Sequence, residues 1–324
     1  MKERQSNFIN ARNKLSQTVS YLAFLFVFSF PSFAYSATEF TDALMVITAS
    51  GANKTNSDFT TNTLIDSATT NINDLVFSDF TVTDDNRYYM ATAKGLSISF
   101  NGGLEWVNID PDAGLASTNS SAVAISNSLG IDNWVLLGSN DQGISLSLDD
   151  GGSFTAYNQA DDSLAGDKIN SVAIDNQGTL YIATDNGISL GWNVELGLFF
   201  ENYDDSFGLA SNVINQVVID NANTAVYLAT NNGLSVSSLG FFDEFTNYLN
   251  GANVSSFSIR NGVWYLGVTG EQHGVYISID QGETFTRRKL DPVDIVPVLD
   301  VEVTEYAIYA STASGLAVSV DGGE

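Results

Sequence analysis

From about residue 57 onward, apolar and polar positions alternate in short runs, and the three-to-four-residue spacing of an amphipathic helix is missing. The runs come in a fixed order. An apolar run ends in a small residue, then come a polar turn, a glycine and an alternating run. The six copies are "YYMATAKGLSIS" (Tyr88–Ser99), "WVLLGSNDQGISLS" (Trp134–Ser147), "LYIATDNGISL" (Leu180–Leu190), "VYLATNNGLSVS" (Val226–Ser237), "WYLGVTGEQHGVYIS" (Trp264–Ser278) and "IYASTASGLAVS" (Ile308–Ser319). Their glycines, Gly95, Gly143, Gly187, Gly233, Gly274 and Gly315, are spaced 48, 44, 46, 41 and 41 residues apart. A second phrase precedes each copy, as in "INSVAIDN" (Ile169–Asn176) and "INQVVIDN" (Ile214–Asn221). A third, aromatic-led run follows several, as in "SFTAYN" (Ser153–Asn158). Each repeat therefore predicts four short strands, a to d. In the third copy they are "INSVAID", "LYIAT", "ISLGW" and "FFENY".

Four antiparallel strands in a repeat of about 40–45 residues predict a propeller blade. One blade cannot bury both of its faces, and stacking blades around a ring does so. The predicted fold is an all-β propeller of six four-stranded blades over residues 57–324. Seven blades is the alternative, with "LMVITASG" (Leu44–Gly51) in the N-terminal segment 37–56 supplying further strands. The last copy reads "GLAVSVDGGE" (Gly315–Glu324) and has no aromatic-led strand. The stretch Ser57–Phe77 aligns with Asp243–Ile259, so Phe59–Leu64 is expected to pair beside Leu316–Val320 and close the ring. The competing account is a chain cut short at Glu324.

The N-terminus changes the picture of where the protein works. Four basic residues (Lys2, Arg4, Arg12, Lys14) precede an apolar stretch, Tyr21–Phe30, then Pro31 and small residues. That order predicts a secretory signal peptide over residues 1–36, cleaved after Ala34 or Ser36. The apolar stretch is shorter than the about 20 residues of a spanning helix, and no membrane span is expected in the mature chain. The whole chain carries a formal charge of −26, with 12 Lys+Arg against 38 Asp+Glu. Residues 1–34 hold four of those cations and one of the anions, so their removal leaves −29. Such a surface repels phosphate backbones, which argues against a nucleic-acid partner. There is no cysteine, so an exported domain of this kind is held by burial alone.

"SIDQGETF" (Ser278–Phe285) and "SLDDGGSF" (Ser147–Phe154) resemble the Asp-box of BNR repeats. Looser or shorter versions stand at "SFNGGLEW" (Ser99–Trp106) and "SVDGGE" (Ser319–Glu324). The layout of Gly208–Val236 looks like the two-component-regulator propeller repeat. Together these resemblances, to the WD40/YVTN/BNR-like class, cover residues 57–324 and imply the propeller fold in a bacterial protein. They do not imply an activity, since propellers host many. Asn101, Asp149, Asp280 and Asp321 are read as structural. An Asp at a Gly-rich turn accepts the turn's N–H groups, and the Asp-box resemblance places it on the c–d hairpin, away from the ligand face. Sialidases share the Asp-box but need an arginine triad and an Arg-Ile-Pro motif. The mature chain has only Arg87, Arg260, Arg287 and Arg288, and no such motif. Xyloglucanase-like glycosidases work in a cleft between two propellers, and this length holds one.

His273 is the only histidine, which excludes a Cys/His dyad and a multi-His zinc cluster. No cofactor is expected. Calcium is the one candidate, because Asp and Asn crowd the turns, yet none of them fits the D-x-[DN]-x-[DN]-G loop. The b–c turns and d–a connections share one end of each blade. They supply the candidate ligand face: Lys94, Asp141, Asp185, Asn231, Glu271 and His273, the last two on the lengthened loop "TGEQHG" (Thr269–Gly274). Trp192, Leu198 and Phe241 form a candidate apolar patch for a partner. The reading is an exported module, secreted or periplasmic, that binds a protein or glycan and leans away from catalysis. The alternatives are a carbohydrate hydrolase related to the Asp-box glycosidases, and the sensor part of a longer two-component receptor.

Overall fold

A computed structural model describes residues 24–28, 43–48, 51–56, 62–65, 72, 77–83, 87–109, 111–126, 133–194, 197–240, 242, 244–290, 296–304, 307–312 and 315–323, with the described residues up to 65, 77 and 194 given by backbone alone. The chain is an all-β propeller built from antiparallel sheets in strict sequence order. Six sheets have four strands and one has three. Sheet 1 holds Phe24–Phe28, Ala43–Thr48, Gly51–Asn56 and Asn62–Ile65. Sheet 2 holds Phe77–Val82, Tyr88–Thr92, Gly95–Ser99 and Val107–Ile109. Sheet 3 holds Ser120–Ile125, Val135–Ser139, Ile144–Ser147 and Thr155–Tyr157. Sheet 4 holds Ile169–Ile174, Leu180–Thr184, Gly187–Val194 and Gly197–Tyr203. Sheet 5 holds Ile214–Asp220, Ala225–Thr230, Gly233–Ser238 and Thr246–Tyr248. Sheet 6 holds Asn253–Arg260, Val263–Thr269, Gly274–Ser278 and Thr286–Arg288. Sheet 7 holds Val298–Val303, Ile308–Thr312 and Gly315–Ser319.

The chain divides into two compact units, residues 70–257 and residues 1–69 with 258–324. In the first, strand a of each of sheets 2, 3 and 4 lies against strand a of the sheet that follows. The cores lie between sheets. Tyr89, Leu96 and Ile98 of sheet 2 pack on Val123, Val135 and Phe154 of sheet 3. Leu136, Ile144 and Leu146 meet Ile169, Ile182 and Phe200 of sheet 4. Tyr181, Ile188 and Leu190 meet Ile214, Val217, Leu228 and Phe242 of sheet 5. Strand b is buried along its whole length in sheets 2, 3 and 4, because it is covered on both faces. That explains why the sequence shows unbroken apolar runs there. In the second unit, Val275 with Tyr265 and Ile277 of sheet 6 packs on Val298, Val301 and Ile308 of sheet 7.

Strand a carries an irregularity in the same place in sheets 2, 4, 5 and 7. The register of a against b shifts between Phe77 and Asp79, Ile169 and Ser171, Ile214 and Gln216, and Val298 and Asp300. Such a bulge leaves one residue out of the ladder and re-aims its side chain. In sheets 4 and 5 that residue is Asn170 and Asn215.

The expected closure by Phe59–Leu64 is corrected. Asn62–Ile65 pairs with Gly51–Asn56, with Leu64 opposite Asn53, and sits at the edge of sheet 1 rather than beside Leu316–Val320. The stretch around Leu44–Gly51 accounts for this. Thr48 and Gly51 close a two-residue turn, so Ala43–Thr48 and Gly51–Asn56 form a local hairpin that takes the next strand. Local pairing costs less loop-closure entropy than reaching the far end of the chain. Phe24–Phe28, within the apolar stretch read as a signal, is the first strand of that sheet and pairs with Ala43–Thr48.

Candidate functional site

The b–c turns are built on a hydroxyl. Thr92, Thr184, Thr230 and Thr312 end strand b, and each Oγ1 donates to the carbonyl of the glycine three residues on, at 2.8–3.0 Å. In the first three turns the same oxygen accepts from the N–H two residues on, that of Lys94, Asn186 or Asn232. The two turn residues then point to different partners. Asn186 and Asn232 turn back, and their Nδ2 groups donate to the carbonyls of Ala165 and Ala210 on the d–a connections, both at 2.9 Å. Those connections are also held by Ser189 and Ser235 of strand c, which accept the N–H groups of Ala165 and Ala210 at 2.9 Å.

Asp185 and Asn231, one place earlier, meet the bulge residues. Asn170 Nδ2 donates to Asp185 Oδ1 at 2.7 Å and to the carbonyl of Ile214 in the next sheet at 2.9 Å. Asn215 Nδ2 repeats the arrangement, reaching Asn231 Oδ1 at 3.1 Å, Asn253 Oδ1 at 3.2 Å and the carbonyl of Val254 at 2.7 Å. Lys168 Nζ closes the other side of Asp185 at 2.7 Å. Burial pushes the Asp185 carboxyl up, but the hydrogen bonds from Asn170 and Lys168 and the lysine charge outweigh it and leave it below its ordinary value. Asp185 is therefore an exposed, ionised acceptor with a fixed orientation.

The sequence-predicted face resolves unevenly. Lys94 is exposed but occupies the turn place of Asn186, not that of Asp185. Asp141 is exposed in a longer turn and makes no hydrogen bond among the described residues. Glu271 is exposed on the Gly270–Gln272 turn. His273 folds back on its own loop, with Nδ1 2.8 Å from the carbonyl of Gly270, and its carbonyl accepts from Arg287 Nε at 2.8 Å and from a second guanidinium nitrogen. Lys168, Asn170, Asn215 and Asn253 were missed. The recurring "IN" that opens strand a was the signal for two of them.

The turn aspartates at the other end bond within their hairpins. Asp149 accepts from Ser147 Oγ at 2.7 Å, from the Ser153 N–H at 2.9 Å and from Ser153 Oγ at 2.8 Å. Asp280 repeats this with Ser278 at 2.8 Å and with the N–H and Oγ1 of Thr284 at 2.9 and 2.6 Å. Asn101 accepts from Ser99 and the Glu105 N–H, and Asp321 accepts from Ser319. These contacts hold the carboxyls of Asp149 and Asp280 below their ordinary values.

Trp192 and Leu198 do not share a surface. They lie on the long c–d hairpin of sheet 4, where Trp192 stands opposite Phe199 and Leu198 opposite Asn193. Trp192 packs on the core shared with sheet 5, and Leu198 on the core shared with sheet 3. Phe199, stacked on Trp192 with ring centroids 6.1 Å apart, is the exposed aromatic. Phe241 lies outside the described residues. Among the described residues, no group of three or more His, Asp or Glu side chains gathers to hold a metal ion.

Residues 163–186 match the family described as "Two component regulator propeller". The chain resembles two-component-regulator propellers. No match was found among curated proteins. The extracellular domain of a putative one component system, BT4673, from B. thetaiotaomicron aligns at TM-score 0.71 and 14% identity, over 94% of this chain and 39% of that one. The extracellular domain of a putative hybrid two component system, BT3049, of the same organism aligns at 0.68 and 16%, over 93% and 39%. An ancestral GH74 enzyme aligns at 0.58 and 15%, over 84% and 42%. The chain thus spans about two fifths of these structures, and at such identities the likeness is one of fold. Among the described residues, no helix is long and apolar enough to cross a membrane.

Proposed function

We infer that this chain is an exported, non-catalytic binding module, and that its ligand sits at the b–c and d–a end of sheets 4 and 5. The observation that carries the reading is the network of Lys168, Asn170, Asp185, Asn215 and Asn231, which fixes exposed polar groups in one orientation before any ligand arrives. Preorganised donors and acceptors are what a binding site needs, because orienting them at the moment of binding costs affinity. Residues 163–186, the segment similar to the two-component-regulator repeat, include Lys168, Asn170 and Asp185. The similar domains named above are extracellular parts of one component and hybrid two component systems, which supports a sensor role. Carboxylate and amide groups suit the hydroxyls of a glycan or the main chain of a peptide, and the acidic chain disfavours phosphorylated ligands.

The test is a glycan array and a peptide library, with each hit measured by calorimetry on the full chain and on Asp185→Ala and Asn231→Ala. Losing one hydrogen bond to a charged group weakens a ligand of this site about tenfold. Hits indifferent to both variants, or a turnover abolished by changing one carboxylate on this face, overturn the reading. Sequencing the N-terminus of the protein recovered outside the cytoplasm checks export, with chains expected to begin at Tyr35 or Ala37 and so to have shed the strand Phe24–Phe28 from sheet 1.

A further inference from the structure

Exposed apolar side chains recur at one place in the repeat. Phe100, Leu148, Ile279 and Val320 each stand five residues after the glycine of their copy, and each is at least half exposed. The turn explains the exposure. Ser147, just before Leu148, donates to Asp149, just after it, and accepts the Gly151 N–H at 2.9 Å. Ser99, Ser278 and Ser319 make the same two bonds around Phe100, Ile279 and Val320. The flanking side chains are thus tied together inside the turn, and the residue between them faces out. A polar residue serves equally well there, since sheet 5 has Ser238 in this place, also exposed. Packing of the turn therefore does not account for Phe, Leu, Ile and Val in the other copies.

Within residues 70–257 these side chains have apolar neighbours. Leu104, on the same turn as Phe100, is 74% exposed. In sheet 4 the place is held by Trp192, stacked on the exposed Phe199. The turns lie against the sheets beside them. Asp150, on the turn of sheet 3, pairs with Arg87 of sheet 2, and a methyl group on Gly151 would strike Ile98 of sheet 2. Single exposed apolar residues are ordinary, but a series of them at one end of consecutive sheets marks a docking surface. The charges around this one have a single sign. Glu105, Asp149 and Glu201 are exposed beside it. Residues 70–257 contain three cations. Lys94 and Lys168 stand at the b–c and d–a end, and Arg87 is paired with Asp150.

We propose that the c–d end of sheets 2, 3 and 4 docks a basic amphipathic segment of a partner protein, whose apolar side chains cover Phe100, Leu104, Leu148 and Phe199. Charge selects this occupant. The Lys or Arg residues of such a segment meet Glu105, Asp149 and Glu201, which find no free cation at this end of residues 70–257. A second copy of the chain would set the same carboxylates against one another, and an anionic bilayer would repel them. This surface lies at the opposite end of the sheets from the ligand face on sheets 4 and 5, and either proposal stands without the other.

The probe is the fluorescein-labelled basic amphipathic peptide LKKLLKLLKKLLKL. Anisotropy titration with the full chain at physiological salt is expected to saturate. Two control peptides, one with Glu for every Lys and one with Ser for every Leu, are expected to bind at least tenfold more weakly. The double variant Phe100→Ser with Leu148→Ser also weakens the probe about tenfold or more, because it removes apolar contact area, whereas Asp185→Ala leaves it unchanged. Ser238 shows that serine fits this turn, so the double variant is expected to keep its Tm. Should it unfold, amide exchange on the unmodified protein gives the answer, with protection gained at residues 100–105 and 148–151 when probe is added. A Ser peptide that binds as well shows attraction by charge alone and overturns the proposal, as does a double variant that binds as well or protection gained elsewhere. Two further outcomes overturn it by naming another occupant. One is a chain that sediments as a dimer while the double variant sediments as a monomer. The other is flotation with phosphatidylcholine vesicles that the double variant loses.

Discussion

Asn170 on strand a of sheet 4 donates to the main-chain carbonyl of Ile214 on strand a of sheet 5, 2.9 Å away, through the same amide that reaches Asp185 at 2.7 Å. Strand a is an edge strand, and its outward main-chain groups have no ladder partner within their own sheet. Side chains of the neighbouring sheet supply one. Asp79 accepts the Val123 N–H at 2.7 Å, Ser171 that of Val217 at 3.2 Å, and Gln216 that of Phe257 at 2.7 Å. The groups that orient the candidate site therefore also join the sheets.

Asn170→Ala consequently acts on both stability and binding. It leaves the Ile214 carbonyl without this donor and removes one of two donors from Asp185, at a cost of about 2 kcal/mol. Urea unfolding is expected to show that loss, with Tm lower by several degrees and affinity at the sheet 4 face reduced. Unchanged stability would mean that the amide is not a joint between the sheets.

The turn aspartates give a pH signature. The carboxyl of Asp149 is held below its ordinary value first by Ser147, then by the N–H and Oγ of Ser153. A depressed acid contributes stability that is present above its unfolded value, near 3.9, and is lost as pH falls through the folded one. The wild type is expected to lose Tm more steeply than Asp149→Ala between pH 4 and pH 2, so that the two curves converge. Parallel curves over that range would remove the carboxylate from the account of the hairpin.

The fold was legible because its units repeat. Alternation, glycines at intervals of 41–48 residues and an aromatic after several of the hairpins specify a blade. What separates the sequence reading from the structure is pairing. Phe59–Leu64 has the right residues for a last strand d, but strand partners are set by which hairpin forms locally, and Thr48–Gly51 decided that. The site was half legible. Asp185 and Asn231 stand out as turn residues, whereas Asn170 and Asn215 sit inside strands, where a bulge re-aims them. A bulge changes register without changing composition, so periodicity does not reveal it. The partner patch failed for the same reason, since Trp192 and Leu198 sit on opposite faces of one hairpin and only strand register tells which.

Glu302, on strand a of sheet 7, runs the other way in pH. Burial pushes its carboxyl well above the ordinary value and the Asp300 charge adds to this, against a hydrogen bond from Ser258 and the Arg260 charge. An acid whose folded value is raised keeps its proton while the unfolded chain loses it, so stability falls as pH rises above the ordinary glutamate value near 4.3. Glu302→Gln removes the ionisation but keeps the shape and the hydrogen-bonding capacity. It is expected to match the wild type at pH 4 and to be the more stable at pH 8, by denaturant midpoint. A variant less stable than the wild type at pH 8 would show that the ionised form is the one the fold supports.

The same substitution at two equivalent glycines separates strain from collision. Gly187 and Gly315 both open strand c, with φ of 109° and 128°, where an L side chain is strained. Alanine at either costs about 1–2 kcal/mol for that conformation. At Gly187 the new methyl also collides with the Tyr203 carbonyl on strand d, which adds about 1–3 kcal/mol of overpacking. At Gly315 it meets open space. Gly187→Ala is therefore expected to lose about 1–3 kcal/mol more stability than Gly315→Ala does, measured by urea midpoints at one pH. Equal costs would mean that strand d gives way to the Gly187 methyl without loss.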